Sequence, residues 1–576
     1  MTFTLKWLLP YWKKSWKRMT AIVLLGLISA ALQAATPIMV KNVVNGLSQN
    51  LTWAYIKMNV FYMLALGMLS YGIGILAQRN RAYMNLKIEY EIRQNLFAHI
   101  LTLDHSLYYK HTVGDLLTRL IDDISEKISW FACSGVFRFI QACLTIIAVI
   151  TAMFYLNVPL SLWCLAPMPV IVFFTIKLGR KLNKRYTQLQ DSISEIYDFL
   201  ETSFSAIRLI KANSKENSQK EYFADKAEKQ KENEINTARL QIIFSYFFHY
   251  SGFFSVFLVY TAGGLMVING DIDLGDLVAF QFFSSMIIFP LMDVSQFFIA
   301  GNRAEASIKR VNEIFLIKPV MIKSRKEKVV EKVETLEFAK LSFKPSYSDK
   351  KILEQISFKA TKNSRLAVVG KIGSGKSTVL KLLLRLMEYE EGEYLIDGLP
   401  AREINIPSLR ERLAYVPQEP SIFSATIYEN ITLFSKDVSK EDFERALRVS
   451  QLEYDISKFP NGLKTQVGNR GFSVSGGQKQ RICLARALLK NPDFLIIDDA
   501  TNAMDAQTEE NFWNDFSKNY SHCGSIIATH RTKTLEKSDG ILVLDQGKAV
   551  ENGSHLTLIA SDTLYKKIYE KAKLEE

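Results

Sequence analysis

Leu366-Ala367-Val368-Val369-Gly370-Lys371-Ile372-Gly373-Ser374-Gly375-Lys376-Ser377-Thr378 decides how the second half of this chain is read. Four apolar residues run into a glycine-rich turn, and Val379-Leu380-Lys381-Leu382-Leu383-Leu384 follows with helical character. A strand, a turn of this spacing and a helix together form the context of a phosphate-binding loop. Gly370, Gly373 and Gly375 let backbone N–H groups wrap around phosphate oxygens, and the following helix presents its positive end. Ser374 and Thr378 lie on the same cradle. Lys376 is placed to reach the outer phosphates, and the Ser377 hydroxyl to ligate Mg²⁺.

A second apolar run, Phe494-Leu495-Ile496-Ile497, ends in Asp498-Asp499. A carboxylate at a strand tip beside such a loop suits the magnesium shell, which assigns Asp498 to the metal with Ser377. Asp499 is the candidate base that polarises the attacking water.

These two motifs establish nucleotide binding without saying what it drives. Val474-Ser475-Gly476-Gly477-Gln478, followed by Lys479-Gln480-Arg481 and Leu484-Ala485-Arg486-Ala487, narrows the choice. Serine and two glycines before a helix make a second phosphate cradle. Here the chain resembles the ABC ATPase family, whose signature is usually LSGGQ. The resemblance implies that Ser475, Gly476, Gly477 and Gln478 close over ATP held by another subunit. It also implies that Gln418, in Tyr415-Val416-Pro417-Gln418-Glu419, senses magnesium, and that His530, in Ile527-Ala528-Thr529-His530-Arg531, is the switch histidine near the γ-phosphate. Asn502-Ala503-Met504-Asp505 takes the place of the D-loop. ATP and Mg²⁺ are the implied cofactors.

Outward from this α/β domain the composition changes. Of 576 residues 48% are hydrophobic, and the long apolar runs lie before about Phe315. A bilayer core needs roughly 20 apolar residues as a helix. Six stretches qualify: 20–41, 57–78, 131–156, 159–178, 243–268 and 277–299. The fold class expected is therefore an α-helical transmembrane bundle with long cytoplasmic extensions, followed by an α/β P-loop ATPase. The domains are 1–315 in the membrane, 316–335 as a charged linker, and 336–576 for ATP.

The formal charge of +12 is placed beside membrane spans. Lys6, Lys13, Lys14, Lys17 and Arg18 precede the first apolar run, and Lys177, Arg180, Lys181, Lys184 and Arg185 follow the fourth. That is the positive-inside pattern, with membrane lipid as the partner and no nucleic-acid motif. No small-residue cleavage site follows the first run, so it reads as a retained span, and nothing points to an extra N-terminal domain. Two inside connections of about fifty and more than sixty residues are rich in Lys, Arg, Glu and Gln at helical spacing. They read as continuations of the spans, broken around His111–Asp115 and Glu201–Ser205. Inside the spans Gln33, Gln281, Gln296 and Asp293 stand out, as helix–helix partners or cavity groups. The five cysteines lack metal-ligand spacing and read as free thiols.

Gly114-Asp115-Leu116-Leu117-Thr118-Arg119-Leu120 resembles the first coupling segment of six-helix ABC exporters, and Ile207-Arg208-Leu209-Ile210-Lys211-Ala212 the stretch after the second. The whole then looks like a bacterial half-exporter of the inner membrane. The resemblance implies ATP-driven export by alternating access, with the transported substrate unknown. Three positions depart from the pattern. Asp499 replaces the family's usual Glu, Asn469 replaces another, and Ser342-Phe343 lacks the expected adenine-stacking aromatic, leaving Tyr347 as the candidate. Shortening the acid by one methylene retracts its carboxylate by roughly 1.5 Å, and a general base must lie within reach of its water. Pairing with a different half-transporter is therefore expected, with Asp499 in a degenerate site. A homodimeric lipid or drug flippase is the alternative, and a nucleotide-gated channel on the same scaffold a further one.

Overall fold

A computed structural model describes residues 2–49, 52–104, 107–318, 327–345, 350–468, 474–500, 504–560 and 562–575. Its tertiary contacts divide the chain into two units. One is Met1–Ile100 with Gly114–Leu316, and the other is Leu101–Val113 with Ile317–Glu576.

The first unit is helical. A short helix α1 (Thr2–Lys14) leads into α2 (Trp16–Ser48) and α3 (Trp53–Ile100). After the four-residue α4 (Leu107–Lys110), which falls in the second unit, come α5 (Val113–Leu156) and α6 (Val158–Ser205). Then follow α7 (Ile207–Ala212), α8 (Glu216–Ile268) and α9 (Leu274–Leu316). Six of these, α2, α3, α5, α6, α8 and α9, are long and apolar enough to cross a membrane, and each contains one of the six expected stretches. At 1.5 Å per residue, the 53 residues of α8 span about 80 Å, against a hydrocarbon core of about 30 Å. The charged ends of these helices therefore leave the bilayer as helix, which explains the long connections rich in Lys and Glu.

The membrane core is packed by Val149, Met153, Leu160, Val259, Phe280, Phe283 and Ile287, all 2% exposed or less. The α1 helix is tied to this unit by its indoles: Trp7 Nε1 donates to Asn312 Oδ1 at 3.2 Å and Trp12 Nε1 to the Ala132 carbonyl at 3.2 Å. On α5 the backbone widens to π-helix over Arg119–Ser129 and Phe131–Gly135. There Asp123, wholly buried, accepts from Arg310 at 2.9 and 2.7 Å, from Ser307 at 3.1 Å and from Lys127 at 2.8 Å. Gln281 bonds across helices to the Tyr260 hydroxyl at 3.3 Å, whereas Gln33 bonds within its own helix to Ser29 at 2.9 Å.

The second hairpin breaks later than expected. Helix α6 runs through Glu201–Ser205 and stops at Ala206, whose φ of −95° and ψ of 16° leave the helical region. Here Thr202 Oγ1 turns back onto the Asp198 carbonyl at 2.8 Å, so the helix tolerates it. In the first hairpin His111 and Thr112 do separate α4 from α5.

The second unit is built on strands β1 (Thr335–Phe343), β2 (Leu353–Thr361), β3 (Arg365–Gly370), β4 (Glu391–Ile396), β5 (Leu399–Pro400) and β6 (Leu413–Val416). The pair β7 (Ala425–Thr426) and β8 (Gln466–Val467) precedes β9 (Phe494–Asp498), β10 (Gly524–Ala528), β11 (Gly540–Asp545) and β12 (Lys548–Gly553). One sheet runs β12-β11-β3-β10-β9-β6, parallel except for β12, and a four-stranded antiparallel sheet runs β2-β1-β4-β5. The continuous apolar runs seen in sequence are central parallel strands buried on both faces. Successive side chains alternate between faces. Phe494 and Ile496 pack in the core with β1 and β2, while Leu495 and Ile497 pack with Phe512, Trp513 and Phe516. The latter three lie on α12, Ala506–Asn519, whereas α10 (Lys376–Leu383) and α11 (Gly476–Leu488) begin at the two glycine-rich motifs.

Part of the expected linker belongs to this unit. The Lys328 N–H donates to the Glu403 carbonyl at 2.8 Å, the Val333 N–H donates to Asp493 at 2.9 Å, and Val333 is wholly buried. Residues 319–326 lie outside those described.

Candidate functional site

The strand order places β3, β10, β9 and β6 side by side, so their C-terminal ends form one edge. Ligands of open α/β sheets gather at such an edge. The loop after β3 leads to Lys376 at the start of α10, the turn after β10 carries His530, β9 ends in Asp498 with Asp499 directly after it, and Gln418 stands two residues beyond β6. Residues scattered over more than 150 positions of sequence thus leave four neighbouring strands.

The loop needs its glycines for physical reasons. A Cβ on Gly370 would strike the Leu544 carbonyl, and Gly375 sits at φ +101° with the Leu353 side chain against it. Lys376 folds over the loop and donates from Nζ to the Gly370 carbonyl at 2.7 Å and the Lys371 carbonyl at 3.1 Å. Burial pushes its pKa down, and the carboxylates of Asp499 and Asp498 pull it back up. A cation held partly desolvated beside two acids, on the loop carbonyls of Gly370 and Lys371, is well placed to exchange those carbonyls for phosphate. Ser374 is 2% exposed and its hydroxyl has no hydrogen-bond partner among the described residues. A buried orphan of this kind, inside a loop of backbone donors, marks a place meant for a ligand's oxygen.

Asp498, 4% exposed, accepts from Ser377 Oγ at 2.9 Å on one oxygen and from the Tyr415 hydroxyl at 3.2 Å on the other. Burial is the main reason the Tyr415 phenol is pushed far above its ordinary range, and Asp498 adds to it. A serine hydroxyl and a carboxylate at this distance are hard oxygen donors of the kind Mg²⁺ takes together with phosphates. Asp499 follows in the left-handed region at φ 51°, which aspartate tolerates better than most residues. Its N–H donates to the Ala528 carbonyl at 2.9 Å, tying the end of β9 to β10. His530 is half-buried two residues beyond Ala528. Its turn is held by Arg531, which donates to the Met504 carbonyl at 2.8 Å and pairs with Glu509 at 3.7 Å. Gln418 is exposed. Thr378 stands on the first turn of α10, half-buried.

The second cradle is built differently. Ser475 caps α11: its hydroxyl accepts from the Gln478 N–H at 3.3 Å, and the Gln478 side chain accepts from the Ser475 N–H at 3.0 Å. Buried Asp455 braces the helix start, accepting from Gln478 Nε2 at 3.2 Å and from Arg481 Nε at 2.7 Å. Ser475 and Gly476 are exposed, and open space surrounds Gly476. Among the described residues, Ser475, Gly476, Gly477 and Gln478 share no hydrogen bond with the Lys376 and Asp498 cluster. Tyr347, Asn469 and Asn502 lie outside the described residues.

Comparison with known proteins agrees with this geometry. Residues 19–291 match the ABC transporter transmembrane region and residues 353–502 match the ABC transporter family. A probable multidrug resistance ABC transporter ATP-binding/permease protein, YheI of Bacillus subtilis, is 30% identical over 484 residues, 84% of this chain and 83% of that one. The chain belongs to the ABC transporter family. This ABC transporter is also 29% identical to the multidrug resistance-like ATP-binding protein MdlA of Escherichia coli, over 98% of this chain and 96% of that one. It is 29% identical to an ATP-dependent lipid A-core flippase of Desulfotalea psychrophila, over 94% and 95%. A solved bacterial Atm1-family ABC exporter with ATP bound shares its fold, with a TM-score of 0.79 at 24% identity over 96% of this chain and 98% of that one. The protein is a multi-pass membrane exporter with an ATP-hydrolysing domain, and exporters of this family work as dimers.

Three residues of the transporter's site escaped the sequence reading. Tyr415 was visible only as the first residue of the Gln418 motif, Asp455 lies 20 positions before Ser475, and Glu509 answers Arg531 from another helix. Each acts through a tertiary contact that no local pattern announces.

Proposed function

We propose that this chain is one half of a heterodimeric exporter of the cytoplasmic membrane, and that its own phosphate loop lies in a slow ATP site. The observation that carries this reading is Asp499, the shorter acid after Asp498. Lys376 holds the β- and γ-phosphates, with the N–H groups of Gly373 and Gly375 and the orphaned Ser374 hydroxyl beside it. Ser377, Asp498 and Gln418 would hold Mg²⁺, which would supply charge neutralisation at the phosphates. Asp499 orients the water poorly, and His530 stands by the γ-phosphate. The exposed Ser475–Gln478 cradle closes on the partner's ATP and completes the competent site. Residues 1–315 carry the membrane domain and 336–576 the ATPase, which also takes in the part of 316–335 around Lys328 and Val333. Closure of the two ATPases turns the membrane cavity outward, and ATP supplies the difference in free energy between the two exposures.

The test is turnover by the purified chain, alone and with its partner. The chain alone is expected to hydrolyse ATP slowly and the pair rapidly, with Asp499→Asn changing the rate of the pair less than about threefold. Rapid turnover by the chain alone that collapses in Asp499→Asn would replace the heterodimer by a homodimer of two equivalent sites.

A further inference from the structure

The third span contains a charge that an average over its apolar residues conceals. Arg138 on α5, Arg81 on α3 and Asp293 on α9 line one cavity of about 380 Å³, together with Gln33, Gln141 and Thr145. Among the described residues, no hydrogen bond and no ion pair within 4 Å joins any of these three charges to another group. Ionised side chains inside a membrane unit normally pair with one another, because an unpaired one is expensive. One aspartate offsets at most one of two guanidiniums. The cavity is left with a surplus positive charge, two amide side chains and a hydroxyl, a set that recognises a monoanionic oxyanion.

Two neighbouring cavities say what carries that anion. Arg138 and Asp293 also line a space of about 180 Å³ with Trp130 and Gln296. Gln296 in turn lines a larger one of about 660 Å³ between α6, α8 and α9, mostly apolar through side chains such as Ile176, Phe244, Leu291 and Phe298, with Arg180, Asn183, Asn302 and Arg303 also on its wall. Shared walls join the charged pocket to a larger, mostly apolar one.

The depth fits as well. Helix α1, with its aromatic and basic residues, marks the interface. It touches the unit at Ala132, through Trp12. Ser15, just after it, accepts from Lys87 Nζ at 3.2 Å. Arg138 lies six residues beyond Ala132 and Arg81 six residues from Lys87, each about 9 Å along its helix toward the apolar part of the span. Both arginines therefore stand just inside headgroup level.

We propose that the cavity at Arg81, Arg138 and Asp293 binds the headgroup of a monoanionic amphiphile from the inner leaflet, with its acyl chain in the apolar cavity beside Gln296. This rests on the exporter reading above, and names the class of substrate it moves. The two arginines grip the phosphodiester or carboxylate oxygens, and Asp293 sets the net charge that fits one negative charge rather than two.

The experiment uses the full complex in phosphatidylcholine nanodiscs and brominated lysolipids, reading the quenching of Trp130 as the difference between the unaltered protein and Trp130→Phe. Half-saturation by lysophosphatidylglycerol is expected at a concentration at least about tenfold below that for lysophosphatidylcholine. Arg81→Gln and Arg138→Gln should each remove that preference. Asp293→Asn should shift preference about tenfold toward the dianionic lysophosphatidic acid, and this arm decides the matter if the arginine variants do not fold. Equal half-saturation in the unaltered protein, or a preference that survives in the double arginine variant, would overturn the proposal. So would displacement of the lysolipid by millimolar inorganic phosphate alone, which would make the site one for free anions. ATP turnover is followed on the same nanodiscs. A lipid preference without turnover would refute the exporter reading and leave the binding site standing.

Discussion

The ATPase unit carries two glycine-rich helix starts, and they are finished in opposite ways. At the phosphate loop the chain closes its charges on itself: Lys376 rests on loop carbonyls, and Ser377 and Tyr415 both donate to Asp498. At Ser475 the support lies behind the helix, in Asp455, and the front is left open to solvent. The first region is a cluster whose charged and polar groups are held by one another. The second is a rigid surface that finds no ligand within its own chain. The difference teaches that such a chain holds halves of two sites, and that the quality of each half can vary independently.

Substitutions can break that contrast, and the largest effects are expected where it is sharpest. Lys376→Ala should lower ATP affinity of this chain's own loop by about a hundredfold or more, since charge-assisted contacts to phosphate are lost. Photolabelling with an azido nucleotide would measure it. Gly476→Glu should abolish turnover by the assembled pair while leaving photolabelling at Lys376 intact, because an acid there repels phosphate brought by the partner. If labelling fell together with turnover, the two regions would not be separate halves.

Next in size is Asp499→Glu. Restoring the methylene should raise turnover at this site by about tenfold or more, since a misplaced base can cost on the order of a hundredfold. A rate unchanged within twofold would remove chain length as the cause. Asp455→Ala should lower stability by roughly 2–3 kcal/mol, because it strips Gln478 and Arg481 of a buried charged partner. The ATPase melting temperature would report it, with turnover falling and Lys376 labelling preserved. Tyr415→Phe is the smallest, at about 1 kcal/mol, because Asp498 keeps its bond from Ser377.

Legibility in the sequence followed the range of the interactions. The phosphate loop, the Ser475 cap and the apolar strands are local patterns, and each stands where the spacing put it. The six spans were legible at their centres because length and apolarity suffice there. Their ends were less so: the break expected around Glu201–Ser205 falls at Ala206, and Thr202 bonds back to its own helix. Arg138 was hidden by apolar neighbours. Asp455, Tyr415 and Glu509 were invisible because their partners come from elsewhere in the fold. The stretch taken as a connector proved to contain Val333, buried in the ATPase core, because the Lys and Glu around its valines read as a solvated charge run.

The central claim is that this chain supplies a weak ATP site and a strong second cradle to a different partner. Native mass spectrometry of the complex, released gently from its own membrane, tests it most directly. The account predicts a 1:1 assembly with a second ABC half-transporter that carries Glu at the position of Asp499. Two copies of this chain and no other half-transporter would contradict it.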